Sequence, residues 1–238
     1  MTNLLFIIDN HAGGMGLEEF TFFIGTMALM GASAFFFLSL SQFDKKWRNS
    51  ILISGLITFI AAVHYYYMRA VWVETGETPT VLRYIDWLLT VPLQMVEFYL
   101  ILAACTNVAG SLFKKLLVGS LVMLGAGFAG EAGLAPAMPA FIVGMAGWLY
   151  MIYELYMGEG KAAVSTASPA VNSAYNAMMM IIVVGWSIYP LGYVAGYLMG
   201  AVDASTLNLI YNLADFINKI LFGLIIWHVA VKESSHSH

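Results

Sequence analysis

Lys219 is the residue whose placement asks most of the chemistry around it. It lies within the apolar run 205–231, with Asp215 one helical turn before it. A lone ammonium held away from water tends to lose its charge. A second set of polar residues interrupts the run 79–105: Arg83, Asp86, Thr90, Gln94 and Glu97 step by three, four, four and three, and so share one helical face. The economical partners for the Lys219 ammonium are Asp215 on its own helix and Asp86 from across a bundle. Such a cluster could serve only to pin two helices, but buried ion pairs are often worth no more than apolar replacements. A polar stripe along a whole helix is a costly fastener. A lysine amine can instead condense with an aldehyde to give an imine. The protonated imine is still a cation, so both carboxylates keep their use as counterions. A long apolar aldehyde needs a slot lined by aromatics. Trp186, Tyr189, Pro190 and Tyr193, spaced three, one and three, offer such a face beside a proline kink, and Trp87 and Trp148 can add walls. The same aromatics taken alone would read as ordinary core, and only Lys219 turns them toward a cofactor.

The elements that must hold these residues follow from composition. Of 238 residues, 61% are hydrophobic and 10% are Asp, Glu, Lys or Arg. Average soluble domains carry roughly a quarter charged residues. This chain cannot cover a water-facing surface, which excludes a soluble enzyme. A net charge of -4 leaves no basic patch for nucleic acid. A membrane-spanning helix needs about 20 mostly apolar residues. Seven such stretches are expected, at 18–41, 50–73, 79–105, 111–129, 136–157, 169–200 and 205–231. The connections are short, so the chain is read as one all-α, seven-helix bundle over residues 1–238. A β-barrel would need alternating strands of about ten residues instead. No metal site is expected, and the single cysteine, Cys105, cannot form an internal disulfide.

Orientation follows from the cations. Lys45, Lys46, Arg48, Lys114, Lys115, Lys161 and Lys232 gather at one set of connections and ends. The other set carries Glu74, Glu77, Glu131 and Asp203 and no cation in the loops themselves. The positive-inside rule puts the N-terminus outside and the C-terminus in the cytoplasm. The opening Met1–Asp9 segment has no basic region and is too short for a signal peptide, so it is read as a short outer segment or a processing remnant. The final His-Ser-His is assigned no function. Glu131 and Glu154, near helix ends, are read as solvated or bundle-facing structural residues.

These residues resemble a known family. Arg83-Tyr84-Ile85-Asp86-Trp87-Leu88-Leu89-Thr90-Val91-Pro92-Leu93 is similar to the third-helix signature of the microbial rhodopsins. Asp215-Phe216-Ile217-Asn218-Lys219 resembles their seventh-helix retinal motif, and Trp186-Ser187-Ile188-Tyr189-Pro190 their sixth-helix pocket. Asn107 to Lys115 and Tyr211 to Asp215 look like the proteorhodopsin group nearly residue for residue. The resemblance covers all but about the first fifteen residues.

The resemblance implies a light-driven transporter, not an enzyme, in a bacterial inner membrane. It assigns all-trans retinal to Lys219 as a protonated Schiff base. It makes Asp86 the primary counterion and proton acceptor, Asp215 the second counterion, and Arg83 the outward-side arginine that tunes them. Glu97 takes the place of the proton donor. His64 takes that of a second-helix histidine that pairs with the acceptor and raises its proton affinity. Trp87, Thr90, Trp148, Trp186, Tyr189 and Pro190 fall in the chromophore pocket. Gln94 stands where the group carries Leu or Gln, associated with green or blue absorption respectively. A polar amide near mid-polyene stabilises the ground-state charge distribution and widens the excitation gap, so a blue-absorbing form is expected. The family's histidine reaches a neighbouring protomer through a first-helix Trp, but Phe23 stands there in this chain. Besides membrane lipids and retinal, the family implies a ring of five or six copies and no transducer.

Direction can be read from topology. The third helix begins outside, with Arg83 and Asp86 near that end and Glu97, eleven residues on and ~16 Å along the axis, nearer the cytoplasm. A proton given to Asp86 and replaced from Glu97 has moved outward. The alternative is a sensory photoreceptor that signals without net transport, a class that often lacks a carboxylate where Glu97 stands. Asp86 and Thr90 argue against a chloride or sodium pump. A hormone-type receptor would carry an Asp-Arg-Tyr triplet and an Asn-Pro-x-x-Tyr, and neither occurs.

Overall fold

The computed structural model describes residues 15–235, so the expectations for the opening segment and for the final His-Ser-His lie outside the described residues. Those residues are helical without strands. In chain order the helices are α1 (Leu17–Ser39, extended by a 3-10 turn Leu40–Gln42), α2 (Lys45–Thr75), α3 (Thr80–Ala103), α4 (Gly110–Glu131), α5 (Ala137–Tyr156), α6 (Glu159–Val164), α7 (Pro169–Met180), α8 (Ile188–Tyr193) and α9 (Ala204–Ser235). Seven segments among the described residues are long and apolar enough to cross a bilayer. They are α1 to α4, α5 with α6, the α7–α8 run, and α9.

Helix ends follow local chemistry. Ser168 caps α7, its hydroxyl accepting from the Val171 N–H at 3.2 Å, and Pro169 occupies the first turn, where a missing N–H costs nothing. Asp203 accepts from the Thr206 N–H at 2.7 Å at the start of α9, and this bond holds its exposed carboxyl below the usual carboxylate range. Gly76, at φ 68, ends α2 in the left-handed conformation, with its N–H on the Trp72 carbonyl. The second helix begins at Lys45, five residues before the expected 50, because charges end an apolar stretch without ending a helix. The short helix α6 lies in what was expected to be a connection.

The sixth span departs most from expectation. Two π-helical turns, Ile181–Gly185 and Val194–Leu198, flank α8, in place of one bend at Pro190. Their signature is the bonding of the Trp186 N–H to the Ile181 carbonyl at 2.8 Å and of the Met199 N–H to the Val194 carbonyl at 2.9 Å. Such turns leave carbonyls to be taken by other groups. The Trp148 indole N–H donates to Ile182 O, and the Asn218 amide to Gly185 O, each at 3.2 Å. Elsewhere α4 and α5 meet backbone to backbone. A Cβ on Gly147 would lie 2.8 Å from both the Gly119 carbonyl oxygen and the Met123 nitrogen. Small residues permit this approach in membrane bundles.

Candidate functional site

The polar face expected of the third helix is buried along its length: Arg83, Asp86, Thr90, Gln94 and Glu97 are each no more than 1% exposed. It faces α9, where Lys219 is equally enclosed. The Lys219 Nζ donates to Asp86 Oδ2 at 2.6 Å and to Asp215 Oδ2 at 2.8 Å. One cation thus bridges two carboxylates on different helices, away from solvent. The other Asp215 oxygen accepts from the Trp87 indole at 3.2 Å and from the Tyr189 hydroxyl at 3.4 Å. Asp86 Oδ1 has no protein partner. Thr90 turns its hydroxyl to the Asp86 carbonyl at 2.9 Å and so stiffens that turn of α3.

Lys219 forms one end of a cleft of about 820 Å³, including its open mouth. Trp87, Trp148, Trp186, Tyr189, Pro190 and Gln94 line it, together with Asn218 and Asp215. The Trp87 and Tyr189 rings meet edge to face at 5.2 Å. The walls are mostly apolar. The Gln94 Nε2 has no protein partner. A long apolar aldehyde fits these residues: an amine in the lining, counterions already in place beside it, and aromatic walls.

Arg83 is buried near Asp86 along α3 but turns to other partners. Its NH2 donates to Asn208 Oδ1 at 2.8 Å and to Asn212 Oδ1 at 3.0 Å, while its guanidinium lies 5.8 Å from the Phe22 ring centre and 5.7 Å from that of Tyr211. Among the described residues it forms no ion pair with either carboxylate. His64 is half-buried, and its Nδ1 lies 2.8 Å from the Ile60 carbonyl on its own helix. That hydrogen bond goes to its own helix and not to Asp86, on which His64 nonetheless acts electrostatically. Phe23 is 37% exposed, with the Arg69 guanidinium 5.8 Å from its ring centre.

At the other end of the stripe, Glu97 is fully buried. Ser54 donates to its Oε1 at 2.5 Å, and its Oε2 has no protein partner. Among the described residues no cation forms an ion pair with it.

Several site groups went unnoticed in the sequence. Asn208, Asn212, Asp215 and Lys219 step by four, three and four and are all buried, so the rule applied to the third helix would have found the two asparagines. Glu131, expected to be a solvated or bundle-facing structural residue, faces the bundle and lines the cleft beside Tyr84. Ser54 carried no sequence signal beyond facing inward.

The chain matches the model of the bacteriorhodopsin-like proteins over residues 16–233. It is 77% identical over 219 residues to a blue-light absorbing proteorhodopsin of Gamma-proteobacterium Hot 75m4, covering 91% of this chain and 87% of that one. It is 64% identical to a green-light absorbing proteorhodopsin of Gamma-proteobacterium EBAC31A08, covering 95% and 93%. The crystal structure of a blue light-absorbing proteorhodopsin from Med12 superposes with a TM-score of 0.81 at 46% identity, over 92% of this chain and 100% of that chain. A lysine bridging two buried carboxylates at the head of an aromatic cleft, in a seven-span bundle with these relatives, gives the conclusion that the chain belongs to the bacteriorhodopsin-like family, among the proteorhodopsins.

Proposed function

We propose that this protein is a light-driven outward proton pump that absorbs blue light, with its N-terminus outside and its C-terminus in the cytoplasm of a bacterial inner membrane. The observation that carries the reading is the pair of carboxylates on one face of α3. Asp86 touches the Lys219 amine, and Glu97 lies eleven residues away, ~16 Å along the axis, with only Ser54 as partner. Retinal, bound through Lys219 as a protonated Schiff base, supplies light absorption and a light-driven change in the proton affinity of that nitrogen.

Each residue then has a defined task. Asp215, fixed by Trp87 and Tyr189, keeps one negative charge beside the Lys219 nitrogen throughout. Asp86, with a free lone pair on Oδ1, receives the proton that leaves that nitrogen. Glu97 holds a proton until the nitrogen needs one, then takes another from the cytoplasm. Arg83 and its asparagine partners cover the outer side of Asp86. Trp87, Trp148, Trp186 and Pro190 exclude water and hold the polyene. The amide of Gln94 lies along its path, and its dipole favours the ground state, which supports blue absorption as in the Hot 75m4 relative's name.

The test is the pH of an unbuffered suspension of retinal-supplied cells in light and dark. Acidification in light, abolished by a protonophore and absent in Asp86→Asn with pigment retained, is expected. Unchanged pH in coloured cells would overturn the pump and favour a sensory photoreceptor.

A further inference from the structure

The inward face of α2 carries Trp47, Ser50, Ser54 and Thr58, spaced three, four and four, and each is no more than 1% exposed. Ser54 grips Glu97 Oε1. Three polar atoms of this neighbourhood have no protein partner: Trp47 Nε1, Ser50 Oγ and Glu97 Oε2. A buried polar atom left bare is costly, and buried water usually satisfies it. Three along one helix face and its partner carboxylate are not scattered defects. They form a column that starts at Glu97 and runs toward the Lys45 end of α2, the end that the cations put in the cytoplasm. At that end Lys46, Arg48 and Asn49 are exposed, and the Lys46 ammonium lies 6.0 Å from the Trp47 ring centre. Phe43, Ile51, Ile101 and Leu102 are buried in the same apolar cluster as Trp47.

We propose that Ser50 relays cytoplasmic protons to Glu97, with Trp47 anchoring the water that feeds it. The chemistry separates their roles. A serine hydroxyl both donates and accepts, whereas an indole N–H only donates. Water held by Trp47 gives a proton to Ser50 Oγ, whose own hydrogen passes, directly or through one further water, to Glu97 Oε2. The anchoring water regains a proton from the cytoplasm, so the net change is one proton taken from that side. Ser54 remains on Oε1 and orients the carboxyl with Oε2 toward the relay. Ser50 and Trp47 are positioning residues, since they act through Glu97. This inference rests on Glu97 being the donor.

The test follows the Glu97 carboxyl by time-resolved infrared spectroscopy of the full retinal-loaded chain in lipid, with its band identified by its loss in Glu97→Gln. Two rates are read: loss of the Glu97 proton and its return. Ser50→Ala is expected to slow the return at least about five-fold and leave the loss unchanged, with Ser50→Thr restoring the rate and Trp47→Phe giving a smaller slowing. Normal return in both Ser50→Ala and Trp47→Phe, or equal slowing of both rates, overturns the relay. The donor reading fails separately, when Glu97→Gln leaves reprotonation of the Lys219 nitrogen at its normal rate. In that case the relay is still read by transferring retinal-free protein into D2O. Ser50→Ala must then slow exchange of the Glu97 carboxyl several-fold, and unchanged exchange sinks it.

Discussion

Asn218, the residue before Lys219, donates through its amide to the Gly185 carbonyl across 3.2 Å, which fastens the lysine's turn of α9 to the first π-turn of the sixth span. Lys219 therefore does not stand on an independent helix. Its backbone is held to the segment that carries Trp186, so a strain arising at the amine is delivered to a span whose hydrogen-bond ladder is interrupted by two π-turns.

Removing that fastener should loosen the joint without emptying the cleft. Asn218→Ala leaves a half-buried carbonyl without its donor, a cost of about 0.5–1.5 kcal/mol. The expected result is a lower melting temperature and faster thermal bleaching with retinal still bound, measured by following the visible band during heating. An unchanged bleaching rate would mean that the contact contributes nothing to holding the sixth span.

Lys219→Ala should do more than prevent covalent attachment of retinal. It leaves Asp86 and Asp215 as two buried carboxylates without their shared cation, and breaking a buried ion pair from one side typically costs about 3–5 kcal/mol. The retinal-free variant is expected to unfold at markedly lower denaturant than retinal-free wild type. Adding Asp86→Asn should recover part of the loss, which a double-mutant cycle measures.

The Gln94 amide lies along the cleft with its nitrogen unbonded to protein. Gln94→Leu keeps the bulk and removes the dipole, so the absorption maximum is expected to move to longer wavelength with little change in stability. An unshifted spectrum would show that blue absorption arises elsewhere.

Gly147 packs directly against the α4 backbone. Gly147→Ala places a methyl against the backbone of Gly119 and Met123 and forces the helices apart, at about 1–3 kcal/mol. Gly125, which has open space at its Cβ position, should accept alanine without loss, and the pair of melting curves gives the comparison.

What could be read from the residues alone depended on whether a local rule carried the information. The buried face of α3 was legible because its polar residues interrupt an apolar run at helical spacing. Lys219 against Asp86 and Asp215 followed from the cost of an unpaired buried ammonium. The π-turns were not legible, since nothing in Ile181-Ile182-Val183-Val184-Gly185 distinguishes a π-turn from an α-turn before Trp148 and Asn218 arrive from other helices to take its carbonyls. His64 was legible only through the family pattern. The family pattern joined it to Asp86, but its ring meets the carbonyl of Ile60, a contact available to any helical histidine and invisible to pattern. Glu131 was assigned to a connection by its glycine neighbours, and only the tertiary fold turns it into the cleft beside Tyr84 and Tyr197.

The eleven-residue interval between Asp86 and Glu97 also sets an electrical scale. At ~16 Å in a hydrocarbon slab of ~30 Å, a unit charge carried from one carboxylate to the other crosses roughly half of the membrane's voltage drop. A full crossing is worth ~2.3 kcal/mol per 100 mV, so this interval alone is worth ~1.2 kcal/mol per 100 mV. For the outward pump proposed above, an energised membrane opposes each proton by that amount between the two carboxylates, so turnover is expected to slow as the cell's potential builds. The spacing on one face of a single helix thus makes the protein sensitive to the potential across the membrane that holds it.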